Sequence, residues 1–384
     1  MEARKHVSPE FVFGEGALAL VGRYASNFNA NKVLLVTDPG VIAAGWAAKA
    51  EDSLSQMDIP IHIYSGVSPN PRDTEIMQGA GIYLAEQCNI IVAVGGGSPI
   101  DCAKGIGIVV SNNRHILEFE GVDKIPIPGP PLICIPTTSG SAADVSQFDI
   151  VNDTVRKVKI VVMSKATIPD VALIDPLVAT TMSAALTAAT GIDALVHAIE
   201  AYVSLARSPI TDLHALEAIR LVSANLIAAI EAPDNLLYRE QMMLGSLLAG
   251  LAFSNASLGL VHAMAHALGG WMDLPHGACN AMLLEHVVSY NFDSAPDRYR
   301  CIGKAFGMHL EGLSPEESKK RMVANFKTFR RSTGLTHSLK DYCVDKETIR
   351  ELARSAYNDP CLVTNPIQPT VEDIERIYER ALDA

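Results

Sequence analysis

The hydrophobic residues of this chain follow two different patterns, one before and one after about residue 180. In the first part, short runs of β-branched and aliphatic residues alternate with helical stretches and turn residues. The runs that predict strands are 32–37, 59–64, 89–94, 132–135 and 172–174. Because these runs are hydrophobic without alternation, they predict strands that are covered on both faces, in a mostly parallel sheet flanked by helices.

The second part loses the strand pattern and becomes rich in Ala and Leu with a helical period. The predicted helices are 183–204, 211–230, 239–253, 259–271, 278–290, 314–332 and 371–382. The sequence therefore predicts an α/β domain over residues 1–182 and an all-helical domain over residues 183–384.

Composition and net charge argue against a disordered protein and against nucleic acid or membrane as a binding partner. The chain has 384 residues, of which 48% are hydrophobic, enough to form a sizeable core rather than a disordered protein. Lys and Arg number 31 against 43 Asp and Glu, for a net charge of −12. An acidic surface argues against nucleic acid or an anionic membrane as a partner.

Cysteine usage and the termini favour a cytoplasmic location. The seven cysteines, which form no CxxC pair, are Cys88, Cys102, Cys134, Cys279, Cys301, Cys343 and Cys361. Scattered single cysteines are typical of reduced thiols, and residues 1–10 lack the apolar stretch of a signal peptide. Residues 242–272 contain no charged side chain, but Ser, Asn, His and Gly interrupt them, so we expect buried helices and no membrane contact.

A glycine-rich turn is the first candidate for ligand chemistry. The sequence GGGS at 95–98 follows a predicted buried strand and precedes a predicted helix, with Ser98 near its N-cap and Pro99 in its first turn. Glycines allow close approach of the backbone, and a helix N-terminus offers free N–H groups to phosphate. The motif alone also fits a tight turn without a ligand.

Two other strand ends carry polar groups suited to a dinucleotide. Asp38 ends the first predicted strand, where a carboxylate accepts hydrogen bonds from a ribose diol and repels a 2′-phosphate, which favours NAD over NADP. The segment PTTSGS at 136–141 follows another predicted strand with hydroxyls and backbone amides. The acidic residue precedes the glycines, so this is not the common Rossmann fingerprint.

Histidines and one aspartate form the second candidate site. Asp193 and His197 are four residues apart in a predicted helix, as are His262 and His266, and His276 follows shortly after. One carboxylate and several imidazoles suit a divalent cation. Each histidine taken alone is better explained as a hydrogen-bonded core or surface residue. Their clustering in a stretch almost free of charge favours the metal.

Four segments of the chain resemble the iron-containing, group III alcohol dehydrogenases. They are GGGSPIDCAKGI (95–106), PTTSGSAADVSQF (136–148), TAATGIDALVHAIEAYVS (187–204) and AGLAFSNASLGLVHAMAHALGGWMDLPHGACNAMLLEHV (249–287). The resemblance extends to DPCLVTNP at 359–366 and covers nearly the whole chain. It implies a dinucleotide-binding α/β domain followed by a helical metal-binding domain.

The resemblance also implies the roles of particular residues. The metal ligands it implies are Asp193, His197, His262 and His276. His266 is implied beside the nicotinamide, where it passes the released proton toward solvent, and Phe253 in the substrate pocket. The predicted cofactor-binding residues are Asp38, Asn70, Gly96, Gly97, Ser98, Asp101, Thr137, Thr138, Phe148 and Lys159.

The predicted reaction is reversible hydride transfer between a primary alcohol, or its aldehyde, and NAD with Fe²⁺, although Zn²⁺, Co²⁺ or Ni²⁺ also suits the ligands. A polyol dehydrogenase that uses zinc is the nearer alternative. A lyase of the dehydroquinate synthase type is less favoured, because residues 242–272 supply no Lys or Arg for an acidic substrate. A non-catalytic structural protein would leave the glycine-rich turn unexplained.

We expect a homodimer or larger homo-oligomer. The segment FVFGEGA at 11–17 is expected to form a strand that pairs with another subunit across the dimer interface.

Overall fold

The computed structural model describes residues 5–342 and 344–382, so Cys343 lies outside the described residues. The chain forms two compact units. The α/β unit comprises Val7–Met182 and Asp234–Met243, and the helical unit comprises the described residues of Met1–His6, Ser183–Pro233 and Leu244–Ala384. The predicted fold class, a mostly parallel sheet followed by helices, is confirmed.

The α/β unit is built on a six-stranded sheet. Its strands in chain order are β1 (Glu10–Phe13), β2 (Val33–Val36), β3 (Ile61–Tyr64), β4 (Ile90–Gly95), β6 (Leu132–Pro136) and β9 (Val171–Ile174). Every pairing in the order β1-β9-β6-β4-β2-β3 is parallel. All residues of β2 and β4 are buried, as their continuous hydrophobic runs predict.

Helices alternate with these strands. They are α1 (Val21–Asn27), α2 (Pro39–Ala43), α3 (Trp46–Ser55), α4 (Asp73–Ala85) and α5 (Gly97–Asn112), with 3₁₀ helices at Ala17–Leu20, Ile116–Phe119, Lys165–Thr167 and Pro176–Thr181. Helix α5 packs on β2, β4 and β6. It begins two residues earlier than expected, with Gly96 as its N-cap, so Ser98 lies in its first turn.

A second sheet in this unit was not predicted. Strands β7 (Phe148–Asp153) and β8 (Val158–Met163) form an antiparallel pair, and β5 (Gly121–Val122) joins β8. The register pairs Phe148 with Met163 and Asn152 with Lys159. Polar residues such as Asp149 and Asn152 are uncommon in strands, which concealed this hairpin.

The helical unit contains long helices in the predicted places. They are α6 (Ala184–Val203), α7 (Pro209–Glu231), α8 (Leu236–Ala256, which starts in the α/β unit), α9 (Leu260–Met272), α10 (His276–Asn291), α11 (Pro296–Phe306), α12 (Pro315–Ser332), α13 (Lys346–Tyr357) and α14 (Val371–Leu382), with 3₁₀ helices at Phe292–Ser294, Leu339–Tyr342 and Pro360–Thr364. The shorter, more polar α11 and α13 were not predicted.

Helix α7 is long and apolar enough to cross a membrane when judged by length and composition alone, with a window of mean hydropathy 1.5. Helices α8 and α9 pass the same test only as one span, and they meet at a bend of 100°. Core helices of soluble proteins pass this test too. Helix α7 buries Ala218, Ile219 and Val222 and packs on α6 and α11.

Candidate metal and cofactor sites

Three helices of the helical unit bring the predicted metal ligands together. Asp193 and His197 lie one turn apart on α6, His262 lies in the first turn of α9, and His276 is the first residue of α10. The start of α10 lies against the α6 backbone: a Cβ atom at Gly277 would be 2.1 Å from the carbonyl oxygen of Ala189. Glycine therefore permits the approach that brings His276 to α6.

The four side chains converge on one point. One ligand atom from each lies within 4.8 Å of all the others. The Oδ1 atom of Asp193 is 3.8, 3.7 and 3.5 Å from the Nε2 atoms of His197, His262 and His276. These separations are too long for hydrogen bonds but close to the spacing of about 3.4 Å expected between two ligands of one tetrahedral cation. The arrangement fits a divalent metal ion.

The electrostatics of this cluster also favour a cation. Burial would raise the pKa of Asp193, but the imidazoles of His197, His276 and His262 outweigh it and hold the pKa well below its usual range. Burial would lower the pKa of His262, but Asp193 and Glu200 raise it to about 9. The buried carboxylates thus demand positive charge, which a proton or a metal ion supplies.

Two residues that contact the ligands were not predicted. Glu200, on α6, accepts a hydrogen bond through Oε2 from Nδ1 of His262 at 2.7 Å. Asn280, on α10, donates from Nδ2 to Oδ1 of Asp193 at 2.7 Å. Glu200 follows His197 by three residues on a helix, which places it on the ligand-bearing face, so its position in the sequence was an available signal.

His266 lies beside the four predicted ligands and forms a separate pair with Asp359. Its ring stacks on that of His276 with centroids 5.3 Å apart, and its Nδ1 atom is 2.8 Å from Oδ2 of Asp359. Both side chains are almost fully buried. Asp359, which was not predicted, leaves only Nε2 of His266 for exchange of a proton with another group.

Cys361 makes a second possible metal group with His266 and Asp359, since their ligand atoms also lie within 4.8 Å of one another. Both oxygens of Asp359 are already used, Oδ2 by His266 and Oδ1 by the backbone N–H of Cys361 at 2.8 Å. Burial raises the pKa of the Cys361 thiol well above its usual value. This group is therefore explained as a hydrogen-bonded pair rather than as a metal site.

Phe253, predicted in the substrate pocket, lies on α8 and is buried. Its ring stacks on the imidazole of His197 with centroids 4.2 Å apart and an interplanar angle of 20°. This contact restricts the orientation of the His197 ring. Its role toward a substrate stays a prediction.

In the α/β unit, the predicted cofactor motifs meet at one edge of the large sheet. Strands β2, β4 and β6 are parallel neighbours. Their carboxyl ends carry Asp38, Gly96–Gly97 and Thr137–Thr138, respectively. The carboxyl edge of a parallel sheet is where open α/β folds bind ligands.

The glycines at this edge leave room for a phosphate. A Cβ atom at Gly96 would lie 3.0 Å from Cγ2 of Thr138, and one at Gly97 would lie 3.0 Å from Cβ of Ser141. No side chain caps the N-terminus of α5. Since α5 has 16 residues, its free N–H groups and dipole suit the pyrophosphate of a dinucleotide.

Other predicted cofactor residues are joined by hydrogen bonds. The backbone N–H of Asn70 donates to Oγ of Ser98 at 3.2 Å, and Nζ of Lys159 donates to Oδ1 of Asn70 at 2.7 Å. Asp38 caps α2, with Oδ1 accepting from the N–H of Val41 at 3.0 Å. Its second oxygen has no hydrogen-bond partner among the residues that the structure describes.

Asp101 and Phe148 lie deeper in the α/β unit. Asp101 is buried, 3.8 Å from Nζ of Lys104, and accepts a hydrogen bond from the backbone of Ile150. The carbonyl oxygen of Phe148 accepts from Nζ of Lys104 at 2.6 Å. These contacts give both residues structural partners, and their contact with a cofactor stays a prediction.

Comparison with known proteins gives the same family for both parts of the chain. Residues 8–176 match the model of the iron-containing alcohol dehydrogenases, and residues 187–382 match the C-terminal model of the Fe-containing alcohol dehydrogenase family. Together these matches span nearly all of the chain.

Individual proteins match over almost their whole length. The chain is 40% identical to 1,3-propanediol dehydrogenase of Klebsiella pneumoniae, over 96% of each chain, and 34% identical to NAD-dependent methanol dehydrogenase of Bacillus methanolicus, over 98% of this chain and 99% of the other. A crystal structure of 1,3-propanediol oxidoreductase superposes with a TM-score of 0.95 at 39% identity, covering 99% of this chain and all of that one. The chain belongs to the iron-containing alcohol dehydrogenase family and is an NAD-dependent oxidoreductase that acts on alcohols.

Proposed function

We propose that Asp193, His197, His262 and His276 hold one divalent cation, Fe²⁺ in the first instance, at the catalytic centre. The observation that carries this proposal is the convergence of the four ligand atoms within 4.8 Å of one another, on side chains of which three are buried and one is partly exposed. When bound, the cation supplies Lewis acidity to an alcohol or carbonyl oxygen. Zn²⁺, Co²⁺ and Ni²⁺ suit the same ligands, so metal availability decides among them.

The four proposed ligands differ in how far they are exposed to solvent. Side chains of Asp193, His197 and His262 are at most 6% exposed, whereas His276 is 26% exposed. We infer that substrate reaches the centre past His276. Phe253, stacked on His197, limits the space available to the carbon chain of the substrate.

His266 handles the proton released when an alcohol is oxidised. Asp359 holds its Nδ1 atom, so the proton is taken up and released at Nε2. The carboxylate also stabilises the imidazolium that forms for the duration of the transfer.

Residues 1–182 form the dinucleotide-binding domain of this proposal, and residues 183–384 form the metal domain. Gly96, Gly97 and Ser98 bind the pyrophosphate, while Asp38 binds the adenosine ribose and disfavours NADP. Thr137, Thr138, Asn70 and Lys159 contact the rest of NAD.

A short-chain primary alcohol is the proposed substrate. A diol is the second candidate, supported by the 40% identity to a 1,3-propanediol dehydrogenase.

We also propose that the protein is cytoplasmic and forms a homodimer or larger homo-oligomer. Strand β1 lies at the end of the six-stranded sheet, where an edge strand is available to pair with another chain.

The experiment is metal analysis combined with turnover. Protein purified without oxygen is stripped with a chelator, reloaded with Fe²⁺ or Zn²⁺, and assayed for NADH formation with short-chain alcohols and diols, using NAD and NADP in parallel. We expect one cation per chain and a rate that follows cation content. Full turnover by the metal-free protein would contradict the proposal.

A further inference from the structure

Glu200 is a buried acidic residue on the same helix face as two of the proposed metal ligands. Asp193, His197 and Glu200 stand at positions i, i+4 and i+7 of α6, so all three point to one side. The side chain of Glu200 is only 3% exposed. A carboxylate at that depth requires hydrogen-bond donors or a positive charge.

The donors come from the first turn of α9. Oε2 of Glu200 accepts from the backbone N–H of Gly259 at 3.0 Å and from Nδ1 of His262 at 2.7 Å, and Oε1 accepts from the N–H of Val261 at 2.6 Å. Gly259, the N-cap of α9, carries no side chain of its own to cap the helix. Glu200 therefore supplies, from another helix, the acceptors that this N-terminus lacks.

The same carboxylate determines which nitrogen of His262 is available to a metal. A carboxylate only accepts hydrogen bonds, so Nδ1 of His262 carries the proton in this contact. The lone pair then lies on Nε2, the atom that is 3.7 Å from Oδ1 of Asp193. No oxygen of Glu200 belongs to the group of four converging ligand atoms among the described residues.

We propose that Glu200 is a positioning residue of the metal centre, which holds the ring and the proton of His262 so that Nε2 faces the other three ligands before the cation arrives. This inference rests on the proposed function, because it requires the four residues to bind a metal. Partners that orient a metal-bound histidine contribute about 10- to 100-fold to metal affinity.

A matched control exists at the same helix terminus. Oδ1 of Asn365 accepts from the N–H of Leu260 at 3.1 Å, and Asn365 is as deeply buried as Glu200, but its side chain forms no hydrogen bond with His262. Its other partners are Asn291 and Ile367. Replacing Asn365 weakens the start of α9 without removing the hydrogen bond to Nδ1 of His262.

The test measures Co²⁺ affinity of the full-length protein by competition with a chelator, for the wild type, Glu200→Gln and Asn365→Ala, together with the thermal midpoint of each metal-free protein. We expect Glu200→Gln to weaken Co²⁺ binding about 10- to 100-fold and to change the visible spectrum of the bound Co²⁺. Asn365→Ala should lower the thermal midpoint and leave Co²⁺ affinity within about twofold of the wild type.

Wild-type Co²⁺ affinity in Glu200→Gln would overturn the inference. Equal losses of affinity in both variants would also overturn it, because they would assign the effect to the helix terminus. A wild-type protein that binds no Co²⁺ would instead refute the proposed function. A measurement on the zinc-loaded wild type needs no variant: the Nδ1 proton of His262 should give a downfield, slowly exchanging proton resonance, and a solvent-averaged Nδ1 proton would count against the inference.

Discussion

Buried carboxylates occur in both units, but their surroundings shift the pKa in opposite directions. In the helical unit, imidazoles and backbone N–H groups contact Asp193 and Glu200, and the pKa of Asp193 lies well below its usual range. In the α/β unit, burial raises the pKa of Asp101 to about 6 and raises that of Asp149 well above its usual value.

The difference lies in the available donors. Neither oxygen of Asp149 has a hydrogen-bond partner among the described residues, and Lys104 donates to the carbonyl oxygens of Phe148 and Ser146 instead. Imidazoles around a buried Asp thus favour its charged form, which a metal ligand requires, while burial without donors favours the protonated form. The residue type alone does not distinguish them.

The largest effect is expected when a proposed metal ligand of the helical unit is removed. We expect His262→Ala to lose its cation and about a thousandfold or more in turnover, because the Lewis acid supplies several kcal/mol of stabilisation. Metal analysis and the rate of NADH formation measure both effects. His309→Ala, at an exposed position, is the control and should match the wild type. Normal metal content in His262→Ala would refute the ligand assignment.

A matched pair of Asp→Asn substitutions tests the two carboxylates directly. Asp193→Asn removes a charged ligand and should weaken Co²⁺ binding at least about 100-fold, more than the loss of a residue that only orients a ligand. Asp149→Asn changes a carboxyl of the α/β unit whose raised pKa favours its neutral form, and it should leave Co²⁺ affinity within about twofold of the wild type. Similar Co²⁺ affinities for Asp193→Asn and Asp149→Asn would contradict the claim that only the carboxylate of the helical unit binds the metal.

Asp38 provides a carboxylate that is neither deeply buried nor surrounded by donors. Asp38→Asn should lower kcat/KM for NAD about tenfold, the value of one charge-assisted hydrogen bond, and should reduce the preference for NAD over NADP. Asparagine preserves the helix cap at Val41, so the fold is retained. Steady-state kinetics with both cofactors measure the change, and the exposed Asp52→Asn is the control. An unchanged cofactor preference would exclude Asp38 from ribose binding.

The smallest expected effect concerns the pH dependence of stability. Since the folded-state pKa of Asp149 is raised above 3.8, its contribution to stability is complete below that value and is lost as the pH rises toward the folded pKa. As the pH rises above about 4, the free energy of unfolding of the wild type should fall more steeply than that of Asp149→Asn, by at most about 1.4 kcal/mol per pH unit. Urea denaturation measures this; parallel pH profiles would show that Asp149 is ionised in the folded protein.

Local patterns predicted most of the fold. Continuous hydrophobic runs located the central strands, and the Ala- and Leu-rich helical period located α6 through α10 within a few residues. The hairpin of β7 and β8 was missed because Asp149 and Asn152 lower its strand character. Tertiary contacts determine its conformation, and these are absent from any local window of sequence.

Local patterns predicted less of the candidate site than of the fold. Helical spacing placed Asp193 beside His197, but their convergence with His276 depends on packing between helices, for which the resemblance to a family was needed. The partner of His262 is 62 residues away in sequence and that of His266 is 93 residues away. The spacing of Glu200 on α6 indicates which helix face it lies on, but no local sequence pattern shows which side chain each carboxylate contacts. The pairs Glu200–His262 and Asp359–His266 therefore required the structure.

The most direct test of the central claim is anomalous diffraction at the iron absorption edge, from crystals of protein loaded with Fe²⁺ without oxygen. The account predicts one iron peak per chain, bonded to Asp193, His197, His262 and His276 at about 2.0–2.2 Å. An iron peak bound elsewhere, such as between His266 and Cys361, or no peak in active protein, would contradict it.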